Sequence, residues 1–171
     1  MNRVEINACE VPLPLWIGAF NQYILKVLTW LSKDRWDLSI LLCNDAYIRR
    51  LNAQYRDRDE ATDVLSFSLG ETVLDAAGET RYLPGDIVIS LETLGENARY
   101  FEVSEDEELR RLVIHGILHL DGMDHDTNEP AEPMLRLQET VLAALSGDRI
   151  LPMDRFFNVK KSATEKKRER A

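Results

Sequence analysis

All three histidines of the chain fall within eleven residues, His115-Gly116-Ile117-Leu118-His119-Leu120-Asp121-Gly122-Met123-Asp124-His125. His115 and His119 are four apart, so on a helix they stack on one face, about one turn (~6 Å) from each other. Gly122 follows where a helix can end in left-handed backbone, a conformation glycine adopts at no steric cost. A chain that turns there brings His125 back toward the first two. Three neutral imidazoles converging in this way can hold a metal ion and leave a fourth tetrahedral position open, as a catalytic zinc site requires. One metal ion per chain is therefore the expected cofactor. A single histidine on a helix is ordinarily a surface or core residue; three in this register, with the glycine in place, point to a metal.

The spacing His-x-x-x-His-x-x-Gly-x-x-His is similar to that of the metzincin zinc proteases, which carry glutamate directly after the first histidine as general base. Here that position is Gly116, which can take a proton from nothing. The metal-binding half of the pattern is present and the peptidase half is missing.

Several elements must position these residues. Ser104-Glu105-Asp106-Glu107 reads as a capping box opening the histidine helix, and its acidic first turn suits the positive helix start. Leu109, Leu112, Val113, Ile117 and Leu118 give that helix an apolar surface and predict a central position. Upstream, residues 3–9 and Trp36 to Cys43 read as strands. Leu13 to Leu31, with Trp16, Phe20, Ile24, Val27, Leu28 and Leu31 at helical spacing, predicts a long amphipathic helix. Asn44 or Asp45 caps a second helix whose apolar face includes Ile48, Leu51 and Tyr55. Val64 to Ser68 reads as a strand, the stretch holding Gly70 and Gly78 as a turn or loop, and Asp86 to Ser90 after Pro84-Gly85 as a buried strand. Glu92 to Phe101 and Pro133 to Leu145 read as helices, the last closed by Gly147. The alternation predicts a single α+β domain, α/β-like, with a sheet of about four strands packed with helices, one of them the metal helix.

At 171 residues the chain fits one domain with a sizeable core, and 44% hydrophobic with 30% charged residues is an ordinary globular balance. No apolar run approaches the ~20 residues of a membrane span, and the start lacks the features of a signal peptide; the expected location is cytoplasmic. Cys9 and Cys43 sit in apolar, strand-like stretches and are expected reduced and buried. The net charge of −9 argues against a general nucleic-acid coat. It is unevenly spread: residues 160–171 hold six basic and two acidic groups, so with +4 in this tail residues 1–159 carry −13. We read residues 1–159 as the domain and 160–171 as a basic, disordered tail, which is either a solvated end or a weak electrostatic attraction for RNA.

Several segments together resemble one family. His115-Gly116-x-Leu118-His119-Leu120-x-Gly122-x-Asp124-His125 is similar to the signature of the YbeY endoribonucleases, bacterial single-strand-specific metal-dependent enzymes of ribosomal RNA maturation. Leu51-Asn52-x-x-Tyr55-Arg56-x-x-Asp59-x-x-Thr62-Asp63-Val64-Leu65-Ser66-Phe67 matches a second motif of that family and Gly85-Asp86-Ile87 a third. The chain departs from the pattern at Ser68, where proline is usual, at Met123, where tyrosine is common, and in its basic tail; none of these removes a ligand. The resemblance implies zinc on His115, His119 and His125 at one end of a mixed sheet, and RNA cleavage that needs Arg56 and His115. It further implies ribosomal RNA as substrate, notably the 3′ end of the small-subunit 16S RNA. A part in disposing of defective ribosomes follows, with the small subunit and its proteins as partners and neither membrane nor dinucleotide.

Arg56 is a candidate phosphate clamp, since a guanidinium grips phosphate through a bidentate fork; alternatively it is a surface arginine paired with Asp57 or Asp59. Asp124, beside His125, is either a general base or a carboxylate orienting a ligand imidazole. Asp63 and Ser66 border the motif strand and either line the cleft or hydrogen-bond at the strand end. Asp121 and Asp126 are expected to be solvated. RNA cleavage by such a site has two routes, attack by a metal-activated water or by the neighbouring 2′-OH, and the residues do not choose between them. Two other functions stay open: a different metallohydrolase whose base comes from elsewhere, which the missing glutamate opposes, and a non-catalytic ribosome-assembly factor with structural zinc.

Overall fold

The computed structural model describes residues 1–152; the tail inferred at 160–171 lies outside the described residues. Nine elements follow in order: β1 (Arg3–Ala8), α1 (Ile17–Trp30), β2 (Asp37–Cys43), α2 (Asp45–Arg56), β3 (Val64–Leu74), β4 (Thr80–Ser90), α3 (Leu91–Tyr100), α4 (Glu105–Leu120) and α5 (Pro133–Ala144). The strands form one mixed sheet in the order β1-β2-β4-β3. β1, β2 and β4 run parallel, and β3 closes one edge antiparallel to β4.

Strand alternation gives the sheet two apolar faces. Leu38, Ile40 and Leu42 of β2 and Ile87 and Ile89 of β4 point into the main core, against Phe20, Ile24 and Leu28 of α1 and Val113, Ile114 and Ile117 of α4. Cys43, Leu65 and Val88 point the other way, where Ile48 of α2 covers them. The sheet therefore separates α2 from α4, and Arg56 at the end of α2 reaches β3 at the Ser66 carbonyl.

α4 is the central helix, as its apolar surface predicts: eleven of its sixteen residues are buried. Ser104 Oγ accepts the Glu107 N–H at 3.0 Å. The reciprocal half of the capping box is replaced, because the Glu107 carboxylate receives Arg111 instead. Buried Asp106 accepts the main-chain N–H groups of Ile150 and Leu151 at 2.7 and 2.8 Å, tying the end of the described chain to the start of this helix. At α2, Asn44 rather than Asp45 is the cap, its Oδ1 accepting the Tyr47 N–H.

Three expectations need correction. α1 begins at Ile17, not Leu13: Pro14 biases Leu13 to extended backbone, and Leu13 and Leu15 are exposed. The stretch with Gly70 and Gly78 is mostly strand, since β3 and β4 pair from Val64–Ile89 out to Leu74–Thr80 across a bulge at Ser68/Glu71. Gly85 lies inside β4 at φ +134°, where a Cβ would stand 2.0 Å from the Phe67 carbonyl oxygen, so the close crossing of β3 demands glycine. Tyr55, expected on the apolar face of α2, is 57% exposed. Of the cysteines, Cys43 is buried and Cys9 partly so, and both are free thiols. Among the described residues no helix is long and apolar enough to cross a membrane.

Candidate metal centre

His115 and His119 lie one turn apart on α4, and the helix ends just beyond them in a Schellman turn. Gly122 adopts φ +88°, its N–H donates to the His119 carbonyl, and the Met123 N–H donates to the Leu118 carbonyl, both at 3.0 Å. The reversal returns His125 to the other two rings. The Nε2 atoms of His115 and His119 are 3.0 Å apart, and one ligating atom from each histidine lies within 4.8 Å of those of the others. These separations bracket the about 3.3 Å between ligand nitrogens that a tetrahedral zinc demands.

The far side of each ring fixes its tautomer. His115 Nδ1 lies 2.8 Å from Gln138 Oε1, His119 Nδ1 3.1 Å from the Met123 carbonyl, and His125 Nδ1 2.9 Å from the Thr127 carbonyl. All three partners are acceptors only, so each Nδ1 carries the proton and each Nε2 presents a bare lone pair inward. Two lone pairs 3.0 Å apart repel unless a cation lies between them. Burial also holds His115 and His119 below the ordinary imidazole range, in the neutral form a ligand must have. The donor set, the tautomers and the spacing all fit a zinc-type ion.

Gln138 is the residue the sequence reading missed. It is buried on the core stripe of α5 with Met134, Val141 and Leu142; a polar side chain on that stripe was the available signal, because buried amides are there to make hydrogen bonds. Its Nε2 donates to Glu139 Oε1 at 3.1 Å, which orients Oε1 toward His115. Glu139 in turn receives Arg111, which also bridges Glu107 and Glu108.

Arg56 approaches from the opposite layer. It ends α2, crosses the free edge of β3, and donates through Nη2 to the Ser66 carbonyl at 3.0 Å. Its guanidinium lies 5.8 Å from the Phe67 ring centroid, and its charge adds to the burial that disfavours protonation of His119. The alternative pairing with Asp57 or Asp59 is not formed; Asp59 is taken by Arg49 through two bonds of 2.8 and 3.0 Å. Ser66 meets Arg56 through its carbonyl oxygen. Asp63 is engaged at the start of β3, accepting from Asn97 Nδ2 at 3.0 Å and the Val64 N–H at 2.8 Å, although its charge still acts on His115. Asp124 accepts the His125 N–H at 2.8 Å and lies 3.8 Å from His119 Nδ1, with a side chain 88% exposed. Asp121 is exposed but bonded to Lys33. Gly116 faces away from the cleft: a Cβ there would meet Ile87 Cδ1 at 2.8 Å and Cγ2 at 2.9 Å. The position that carries the base in metzincins is here a helix–sheet contact.

Residues 9–146 match the family model described as Endoribonuclease YbeY. A protein of Treponema denticola with that name is 55% identical over 120 residues, 70% of this chain and 77% of its own length. Its namesake in Treponema pallidum is 48% identical over 143 residues, 84% of this chain and 89% of the relative. A solution structure from Thermotoga maritima, 28% identical, superposes with a TM-score of 0.59 over 86% of this chain and 90% of that one.

Proposed function

The chain belongs to the YbeY endoribonuclease family, and on that premise we propose that it is a zinc-dependent endoribonuclease acting on single-stranded ribosomal RNA. The observation that carries the reading is the convergence of three Nε2 lone pairs beside an arginine without a carboxylate partner among the described residues. His115, His119 and His125 hold the ion, and an all-imidazole donor set suits zinc. When bound, zinc supplies a Lewis acid for a phosphoryl oxygen and acidifies water toward a pKa of about 7. Arg56 grips the neighbouring phosphate, offering its remaining N–H groups as a fork. Gln138 keeps the His115 ring neutral and aimed. Asp124 holds the loop that carries His125.

The substrate proposed is the 3′ end of 16S ribosomal RNA during maturation, with a further role in disposing of defective ribosomes. That assignment rests on the motifs shared with the family and brings the small subunit and its proteins as partners, in the cytoplasm. An acidic body supports it indirectly: with −13 on residues 1–159, RNA is held at a local cleft or delivered by a partner. A peptidase reading is opposed by Gly116, where no carboxylate fits against Ile87.

The test is cleavage of purified single-stranded RNA by wild type, His115→Ala and Arg56→Glu, each carried through the same purification, with metal analysis alongside. His115→Ala should fall to background, and Arg56→Glu should lose roughly 100-fold or more, as expected for removal of a charge-stabilising group. Unchanged cleavage in both would assign the activity to a contaminant and leave a non-catalytic, metal-containing assembly factor.

A further inference from the structure

The C-terminal end of α2 carries two arginines beside an open aromatic ring. Arg49 and Arg50 are held by Asp59 and Glu10, whereas Arg56 and Arg58 have no carboxylate partner among the described residues. Between the two pairs stands Tyr55, 57% exposed. Its ring meets Phe67 edge to face, with centroids 5.2 Å apart and planes at 69°. Phe67 is anchored in the small core with Leu41, Cys43, Ile48, Leu65 and Val88, and Arg56 lies over it. Tyr55 is therefore the open ring of the pair. It is propped by a fixed neighbour on the last turn of a helix, so little side-chain freedom remains to be lost when something lands on it.

We propose that Tyr55 is a stacking subsite for one unpaired nucleobase of the RNA, next to the phosphate held by Arg56. The inference rests on the ribonuclease reading and extends it to how the strand is selected. An open aromatic face flanked by two guanidiniums without carboxylate partners among the described residues matches the two faces of a polynucleotide, flat apolar bases and a charged backbone. A base in a duplex is covered on both sides by its neighbours, so it can reach Tyr55 only where the strand is unpaired. The cleft beside the histidines then discriminates single strands by stacking, with no reading of base identity.

The probe is a short 2′-O-methyl RNA carrying 2-aminopurine, whose fluorescence falls when the base stacks, titrated with the zinc-loaded protein. Wild type and Tyr55→Phe should quench the probe and bind alike. Tyr55→Leu keeps the contact with Phe67 but lacks a π face; it should lose the quenching and bind roughly 5- to 100-fold more weakly. An abasic nucleotide in place of 2-aminopurine should weaken the wild type by the same factor and leave Tyr55→Leu unaffected. Equal quenching and affinity in Tyr55→Leu, or no loss with the abasic strand, would overturn the stacking subsite while cleavage of ordinary RNA still upheld the ribonuclease. A wild type that neither binds nor cuts single-stranded RNA would overturn both.

Discussion

His115 is steadied from behind by an amide. Gln138 Oε1 accepts its Nδ1 proton without adding charge, so the ring stays neutral and its Nε2 stays aimed. Gln138→Leu removes the acceptor and frees the ring. We expect zinc affinity to fall about 10- to 100-fold, read by competition with a chelating dye, and Gln138→Glu to restore most of it. Protonation gives a second test. Burial, above all, depresses His115 and His119 below the ordinary 6.5, so the unfolded chain binds more protons than the folded one in the window beneath that value. The metal-free protein thus has its full stability above 6.5 and loses it as pH falls from there toward the depressed folded values. Urea midpoints should drop between about pH 7.5 and about pH 5.5, and the drop should shrink in His115→Gln.

At the scale of elements, α4 must lie close to β4, and Gly116 sets that distance. Gly116→Ala would gain helix propensity, about 1 kcal/mol, but drive a methyl into Ile87, whose branched side chain has little room to turn on a strand. Overpacking costs about 1–3 kcal/mol, so the variant should be less stable. In an Ile87→Ala background the obstructing atoms are gone and the same change should stabilise; additive effects in the thermodynamic cycle would refute the contact as the cause. α4 was the most legible element, because its caps, its period and the four-residue histidine spacing are all local. The outer half of the β3–β4 hairpin was not: Gly70, Gly78 and Pro84 carry loop signals, and a largely exposed edge pairing leaves no clean apolar alternation. The convergence of the three histidines was legible and Gln138 was not, since its place behind His115 comes from how α5 packs on α4. Tyr55 was misplaced for a related reason: helical period assigned it to a face, and the end of the helix projects past what that face covers.

The described body is negatively charged, and the proposed RNA cleft lies between the histidine end of α4 and Arg56 at the end of α2. A polyanion must come to that cleft against the body's field, and the basic residues 160–171 offset part of it. Deleting them should weaken RNA binding at low salt and flatten the salt dependence by roughly 0.7 in log–log slope for each phosphate that the tail neutralises. Unchanged binding would make the tail a solvated end. Two of the three oxygens that hold the imidazoles belong to the main chain of Met123 and Thr127, and every amino acid brings such an oxygen. The side chains at both positions can therefore change while the carbonyls that orient the rings stay in place. Gly122 and Gln138 leave far less latitude, since the turn needs left-handed backbone and the His115 ring needs a side-chain oxygen.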